Sequence, residues 1–282
     1  MGKARTAVTT VKIDAIDVEH LLRIGVAAAR ETGDFLLAHR PADLTFATKS
    51  TPTDVVTQMD TAAERMIAAR IRAERPGDVI LGEEGQAARP DVAAAGVQVR
   101  WIVDPIDGTV NYLYALPQWA VSIAAEVDGT VEAGVVFDPS KDELFTAVRG
   151  GGARLGESSI AVSDCADLSQ ALIGTGFGYD TTRRAGQARV LLDVLPVVRD
   201  IRRLGAASLD LCALACGRLD GYYERGLNLW DYAAAGLIAT EAGARVGGRN
   251  GAQPSSELYV ATTPAVFAPL VDLLDRLGAD RD

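Results

Sequence analysis

Cysteine and histidine are scarce in this 282-residue sequence, and their scarcity excludes several kinds of site. Three cysteines, Cys165, Cys212 and Cys216, are too few for a disulfide framework or a four-cysteine zinc site, so we expect reduced thiols. Two histidines, His20 and His39, cannot form a histidine-rich zinc cluster. No G-x-S-x-G segment accompanies them, which argues against a Ser-His-Asp hydrolase.

Basic charge and long apolar runs are also in short supply. Lys and Arg number 28 against 38 Asp and Glu, a net charge of −10. This balance disfavours a nucleic-acid partner, because binding the phosphate backbone requires clustered basic side chains. No apolar run approaches the roughly 18 residues of a membrane span, and none resembles the core of a secretion signal. We therefore expect a cytoplasmic protein without a membrane span.

The remaining composition, 48% hydrophobic and 23% charged, is that of a globular protein long enough to bury a large core. Apolar residues three and four apart predict a first helix from Val18 to Ala38. A second is predicted from Met59 to Arg75, where Pro76-Gly77 ends it.

Alternating β-rich and helical segments set the predicted fold class. Short apolar runs between Val79 and Val148, separated by turns such as Asp128-Gly129, predict consecutive strands that pair antiparallel. Farther along, strands near Leu172 and at Gly221 to Glu224 alternate with four helices, at Ala185–Leu195, Ala207–Cys216, Asp231–Ala242 and Ala265–Leu277. We predict an α+β / α/β protein, with an antiparallel sheet in residues 1–155 and a mixed α/β subdomain in residues 156–282.

Two of the predicted strands end in acidic residues. Val79-Ile80-Leu81 is followed by Gly82-Glu83-Glu84-Gly85, and Trp101-Ile102-Val103 is followed by Asp104-Pro105-Ile106-Asp107-Gly108-Thr109. Because Pro105 restricts the backbone of the residue before it and Gly108 permits a tight turn, Asp104 and Asp107 are predicted to converge. Two carboxylates and a backbone carbonyl such as that of Ile106 are oxygen ligands that suit Mg²⁺.

The same turn predicts a phosphate site beside the cation. The amides of Gly108 and Thr109 stand where a helix begins, and free N–H groups at such a position bind anions. Two more carboxylates, Asp60 and Asp231, lie near the starts of other predicted helices. Each of these two carboxylates fits a role in the predicted site, but each also fits plain helix capping or an interaction with the helix dipole. Both interpretations stay open at this point.

Taken together, these segments resemble the inositol monophosphatase family of magnesium-dependent, lithium-sensitive phosphomonoesterases. The D-P-x-D-G-T pattern stands at Asp104 to Thr109 and the W-D-x-(x)-A-x-G pattern at Trp230 to Gly236. Upstream, in the family's order, come K-S-x-P-x-D-x-V-T-x-x-D from Lys49 to Asp60 and G-E-E at Gly82. The resemblance covers nearly the whole chain and implies a layered α-β-α-β-α sandwich.

The resemblance also implies residue roles in a site for two to three Mg²⁺ ions. Its metal ligands would be Glu83, Asp104, the Ile106 carbonyl, Asp107, Asp231 and, for a weaker third ion, Asp60. Glu83 and Thr109 would position and deprotonate the attacking water, and Asp104 would be essential to turnover. The substrate would contact Asp107, Gly108, Thr109, Ala207, Glu224 and Asp231.

The identity of the substrate follows less directly. Glu224 as an acceptor for hydroxyl groups fits inositol 1-phosphate, a small phosphorylated polyol. Ala206 and Tyr114 depart from the residues common in characterised animal members, so histidinol phosphate, fructose 1,6-bisphosphate and nucleotide 3′-phosphates remain alternatives. We interpret Arg183-Arg184 and Arg202-Arg203 as surface residues, and the Gly174–Tyr179 segment as a pocket wall.

Family membership also bears on partners. The family is usually homodimeric, and we expect a homodimer here. Some bacterial relatives act with the transcription and RNA-processing machinery through their surface, so a non-catalytic scaffold role is a second hypothesis.

Overall fold

The computed structural model describes residues 16–41, 46–48, 55–85 and 98–281. The stretch from Lys49 to Asp54, which carries the first half of the K-S-x-P pattern, lies outside them. The helices are α1 Val18–Ala38, α2 Gln58–Glu74, α3 Thr109–Leu113, α4 Thr181–Val194, α5 Ala207–Ala215, α6 Leu229–Glu241 and α7 Pro264–Leu277. The strands are β1 Phe46–Thr48, β2 Val55–Thr57, β3 Val79–Gly82, β4 Val99–Asp107, β5 Ala120–Val127, β6 Thr130–Asp138, β7 Glu143–Val148, β8 Gly152–Leu155, β9 Ser158–Ile160, β10 Leu172–Thr175, β11 Asp200–Arg202, β12 Gly221–Glu224, β13 Arg245–Gly247 and β14 Tyr259–Thr262.

Local sequence signals account for the two N-terminal helices. Asp17 caps α1 by accepting the His20 N–H at 3.0 Å, and the apolar stripe of the helix is buried. Thr57 and Asp60 form a reciprocal capping box at the start of α2, which therefore begins at Gln58, one residue before the predicted start.

The large sheet has the order β3-β4-β5-β6-β7-β8-β9. Its neighbours from β4 to β9 pair antiparallel, as predicted, but β3 pairs parallel with β4. The prediction that all consecutive strands pair antiparallel is wrong at this point. Residues 83–98 link β3 to β4, and a link of that length lets the chain return to its starting end, whereas a two-residue turn forces a hairpin.

The small sheet has the order β11-β10-β12-β14-β13 and is mixed. Strand β10 runs parallel to both β11 and β12, while β14 is antiparallel to β12 and β13. The short strands β11, β13 and β14 were not predicted, because runs of three or four residues carry little periodicity.

Burial on alternate faces of the strands establishes the layers. Trp101 and Val103 of β4 pack in one core cluster with α1 and α2, while Ile102 between them packs in another with α5 and α6. The second cluster also contains Tyr222 of β12, so α5 and α6 lie between the two sheets. A third cluster joins the other face of the small sheet to α4 and α7. The predicted α-β-α-β-α sandwich is confirmed.

The two predicted subdomains correspond broadly to the two sheets. The predicted division near residue 155 falls inside the β8–β9 hairpin, whose strands both belong to the large sheet, and how the chain divides stays a prediction. In the ranges that the structure describes, no helix combines the length and hydropathy needed to cross a bilayer.

Candidate active site

The ends of β3 and β4 meet at one edge of the large sheet. Because these strands are parallel, Gly82 lies opposite Val103, and the Glu83 N–H donates to the Val103 carbonyl at 3.2 Å. Glu83 therefore emerges beside Asp104. An antiparallel pair would have placed the two carboxylates at opposite ends of the sheet.

A β-bulge in β4 brings Asp104 and Asp107 to the same face. Asp104 lies opposite Ser122 of β5 and Asp107 opposite Ala120, with a register shift between the two pairs. Partners two residues apart lie on one face of a strand, so the extra residue in β4 cancels the alternation that would have separated the aspartates. The predicted convergence is thus achieved by a bulge that contains Pro105.

The turn after β4 depends on Gly108, which begins α3. Its φ of 90° lies in the left-handed region, and a Cβ there would come within 2.9 Å of the Gln118 carbonyl oxygen. The next residue, Thr109, has its hydroxyl 3.0 Å from both the Ile106 carbonyl oxygen and an Asp60 carboxylate oxygen. The turn is thereby held against the start of α2.

Asp60 serves as a helix cap, one of the two roles that the sequence left open, and its role as a metal ligand stays a prediction. Its fully buried carboxylate accepts the Thr57 N–H at 2.8 Å and the Thr57 hydroxyl at 2.6 Å, as a helix cap does. The other oxygen faces the Thr109 hydroxyl, which connects the cap to the residues at the end of β4.

Asp231 also caps its helix. Asn228 and Asp231 form a capping box at the start of α6, with the Asn228 N–H donating to the Asp231 carboxylate at 2.7 Å. The same aspartate lines the cavity that contains Glu83, Asp104 and Asp107. The helix between the two sheets thus brings a carboxylate from the second half of the chain to the strand ends of the first.

Asp107 is held by the start of α5, a contact that the sequence did not reveal. Ser208, which is fully buried, donates to one Asp107 oxygen with its N–H at 2.7 Å and with its hydroxyl at 2.5 Å, and the Ala207 amide donates as well. A serine that follows Gly205-Ala206-Ala207 has no distinctive pattern, so no sequence signal could have identified it.

Glu224 also lines the cavity, at the end of β12. The Tyr222 hydroxyl donates to its carboxylate, and a Cβ on Gly176 would overlap the same carboxylate. The absence of a side chain at Gly176 therefore makes room for Glu224. Residues 176–179 line the cavity, as predicted for this segment.

The cavity has a volume of about 300 Å³, in the range of small-molecule pockets. Arg183 and Arg203 line it. Arg203 is exposed and Arg183 is half-buried, so these surface residues also border the cavity, which the sequence did not indicate. Asp210, which the sequence did not single out, lines it too and is 1% exposed. Tyr114 is 72% exposed and is not part of the lining. Its difference from the residue common in animal members of the family therefore does not alter this cavity.

Burial and mutual repulsion make these carboxyls reluctant to ionise. Burial, followed by the charges of Glu83, Asp107 and Asp231, raises the pKa of Asp104 well above its usual range. Burial is also the main cause that raises the pKa of Asp231, and it raises the pKa of Asp107 to about 6 despite the hydrogen bonds from Ser208. Burial likewise raises the pKa of Glu224 to about 7.

The chemistry of this donor set fits a divalent cation. Glu83, Asp104, Asp107 and Asp231 border one cavity together with Ile106, whose carbonyl is a further oxygen donor, and a positive ion would relieve the repulsion that contributes to the raised pKa of Asp104. Among the described residues, however, no group of three or more acidic, cysteine or histidine side chains is already arranged as a coordination shell. Asp104 is hydrogen-bonded to Glu83, and Asp107 to Ser208, so ligation would redirect these oxygens.

Comparison with known proteins identifies the class to which this fold and site belong. The sequence pattern of the inositol monophosphatase family matches residues 17–277. The inositol-1-monophosphatase of Mycobacterium leprae is 47% identical over 236 residues, which cover 82% of this chain and 81% of that protein. The Nus factor SuhB of Pasteurella multocida is 38% identical over 265 residues, 92% of this chain and 97% of that one.

Solved structures of family members have the same fold as this chain. The extragenic suppressor protein suhB from Bartonella henselae superimposes with a TM-score of 0.84 at 34% identity, over 91% of this chain and 99% of that chain. The fold is that of the inositol monophosphatase family. The chain belongs to the inositol monophosphatase family and is a phosphomonoesterase.

Proposed function

We propose that the protein hydrolyses phosphate monoesters with the help of Mg²⁺, and that inositol 1-phosphate is its principal substrate. The observation that carries this proposal is the convergence of Glu83, Asp104, Asp107 and Asp231 on one cavity beside the turn at Gly108. Carboxylates attract the cation, and the backbone amides of the turn provide donors for the phosphate.

The proposal assigns the ligands of two to three ions to residues at the strand ends and at two helix starts. Glu83, Asp104 and the Ile106 carbonyl would hold one ion, and Asp104, Asp107 and Asp231 would hold another. Asp60, with Glu83, would serve a third. Magnesium bound in such a site lowers the pKa of water and neutralises the charge of the ester.

The remaining catalytic work falls to side chains and amides of this chain. Glu83 and Thr109 would orient the attacking water and accept its proton, and the close contact of the Thr109 hydroxyl with Asp60 supports this placement. The Gly108 and Thr109 amides would hold the phosphate in line for displacement, while Ala207 leaves space for the ring of the alcohol.

A polyol suits the other polar residues of the cavity lining. Glu224 and Asp210 provide acceptors there, and Arg183 and Arg203 provide donors, so hydroxyl groups would find partners of both kinds. The relative from Mycobacterium leprae is named for inositol-1-monophosphatase activity, which supports the same choice. Lithium inhibition is part of this proposal, as the family resemblance implies.

We extend the proposal to assembly and location. The exposed apolar side chains Leu192, Leu195 and Val197 lie at and beyond the end of α4 and would be covered in a homodimer. A cytoplasmic location fits the three free thiols, since a reducing compartment keeps cysteines unpaired. Light scattering at micromolar concentration would give twice the chain mass if the dimer forms.

A second role is favoured by the name of one relative. The Pasteurella multocida protein is called a Nus factor, which supports a scaffold function in transcription in addition to catalysis. Capture of the same transcription proteins by wild type and by Asp104→Asn would support a role independent of turnover. If neither protein captures transcription proteins, the scaffold role is rejected and only the enzymatic role remains.

The proposed activity is tested by phosphate release from inositol 1-phosphate, histidinol phosphate and fructose 1,6-bisphosphate at pH 8. Millimolar Mg²⁺ is present in all arms, and Li⁺ is added to a parallel set. We expect inositol 1-phosphate to have the highest kcat/KM and Li⁺ to inhibit its hydrolysis. Preference for another ester would replace the proposed substrate, and no turnover of any of them would refute the proposed activity.

A further inference from the structure

Helix α2 carries a second buried carboxylate that no motif singled out. Glu64 follows Asp60 by four residues, so both side chains lie on the same face of the helix. Both are fully buried, at 0% exposure. A buried acid requires specific partners to persist in a folded protein, because burial disfavours its charge.

The two acids reach different strand ends. Asp60 contacts Thr109, which follows β4, whereas Glu64 accepts the Glu84 N–H at 2.7 Å in the turn that follows β3. One turn of α2 therefore touches both segments that border the proposed metal site.

Glu64 contacts the chain on both sides of Glu83. On one side it binds the amide of Glu84. On the other, its carboxylate lies so close to the Cα of Gly82 that a Cβ on that residue would overlap all three terminal atoms of Glu64. The glycine of the G-E-E segment is thus explained by the space that this carboxylate occupies.

These contacts fix the backbone that carries Glu83. A hydrogen bond from a buried amide to a carboxylate is stronger than one between neutral groups. Holding the peptide after Glu83 and the Cα before it fixes the point and direction from which the Glu83 side chain departs, and metal ligands need placement within about half an ångström. Partners that orient a ligand affect metal affinity although they never touch the ion.

We propose that Glu64 is a positioning residue that aims Glu83 at the divalent cation, and that Gly82 is required because it admits the Glu64 carboxylate. This inference rests on the proposed function, since it assumes that Glu83 is a metal ligand. The alternative is that Glu64 serves only the packing of α2 against β3.

The test measures Mn²⁺ affinity of the metal-free protein by calorimetry, and separately its thermal unfolding midpoint in EDTA. Glu64→Gln keeps the size of the side chain and one acceptor oxygen but removes the charge. The matched control is Asp138→Asn, because Asp138 is also 0% exposed and accepts backbone N–H groups, those of Ser140 and Lys141, but is outside the cavity lining.

We expect Glu64→Gln to weaken Mn²⁺ binding by about 10- to 100-fold. The control should keep the wild-type dissociation constant within about twofold, even if it unfolds at a lower temperature. A folded Glu64→Gln protein with the wild-type Mn²⁺ affinity would overturn the proposal and leave Glu64 a purely structural residue.

A second variant decides the matter if Glu64→Gln fails to fold. Gly82→Ala displaces the Glu64 carboxylate without altering α2, and it should weaken Mn²⁺ binding in the same way; unchanged affinity would refute the proposal. Glu83→Gln separates this inference from the proposed function. If Glu83→Gln binds Mn²⁺ as wild type does, the ligand assignment itself fails, whatever Glu64 does.

Discussion

Raising the pH of the metal-free protein should destabilise it, because its cavity holds carboxyls that resist ionisation. Burial raises the pKa of Glu224 from 4.5 to about 7 and that of Asp107 from 3.8 to about 6. The folded protein therefore binds these protons more tightly than the unfolded chain does. The stability that they contribute is complete at pH values below their unfolded pKa and is lost as the pH rises through the folded one.

The size of the loss follows from these values. Between pH 5 and pH 8 the free energy of unfolding should fall by about 2 to 3 kcal/mol for Glu224 and by about 1 to 2 kcal/mol for Asp107. Carboxyls whose pKa is lowered, such as Glu143 and Asp200, do not oppose this change, because they are ionised in both states above pH 5. Mg²⁺ at 100 times its dissociation constant should restore about 2.7 kcal/mol for each site it fills.

Urea unfolding, followed by tryptophan fluorescence at pH 5, 6, 7 and 8 in EDTA, measures this dependence. Glu224→Gln is the control, because it removes the larger contribution and should reduce the pH-dependent loss of stability by about 2 to 3 kcal/mol. If the free energy of unfolding of the metal-free protein stays constant or increases from pH 5 to pH 8, burial does not raise the pKa values of these carboxyls as described.

Three further substitutions test other parts of the structure. Gly108→Ala should lower turnover by about 100-fold while the protein stays folded, because the turn cannot keep its left-handed geometry; near-normal kcat would contradict the role of this turn. Gly134→Ala should lower stability by about 1 to 3 kcal/mol, since its Cβ would meet the Ala234 carbonyl oxygen of α6 at 2.7 Å; an unchanged urea midpoint would count against that contact. Tyr112→Phe loses the hydrogen bond from its hydroxyl to the Leu36 carbonyl at 2.8 Å, so the free energy of unfolding should fall by about 1 kcal/mol while kcat stays unchanged. A loss of kcat without a loss of stability would contradict this structural role.

The elements that were predictable are those with strong local signals. The helix from Val18 to Ala38 has an apolar stripe of the right period, and β5 and β7 are bounded by turn residues, so their limits agree with the structure. The pairing of β3 was not predictable in this way. Parallel pairing depends on the path of a long link, and no residue within either strand indicates the direction in which the strands pair.

The same distinction applies to the candidate site: residues in local motifs were predictable, and residues that depend on contacts distant in sequence were not. Asp104 and Asp107 stand in one compact motif, from which their convergence was predicted, and the family resemblance placed Asp231 with them. Glu64 and Ser208 act through contacts between elements distant in sequence, with Glu84 and Asp107 respectively. Arg183, in the first turn of α4, and Arg203, directly after β11, border the cavity, and a pair of arginines in the sequence does not distinguish such a position from open surface.

The most direct test of the account is the initial rate of phosphate release from inositol 1-phosphate as a function of Mg²⁺ concentration, for wild type and Asp231→Asn. After treatment with EDTA, wild type should be inactive and should regain full activity as Mg²⁺ is restored. Asp231→Asn, folded by circular dichroism, should stay several orders of magnitude slower at every Mg²⁺ concentration, of the order seen when charge-stabilising groups are removed. Activity of wild type that persists without divalent ions, or near-normal turnover by Asp231→Asn, would contradict a metal-dependent phosphatase built on these carboxylates.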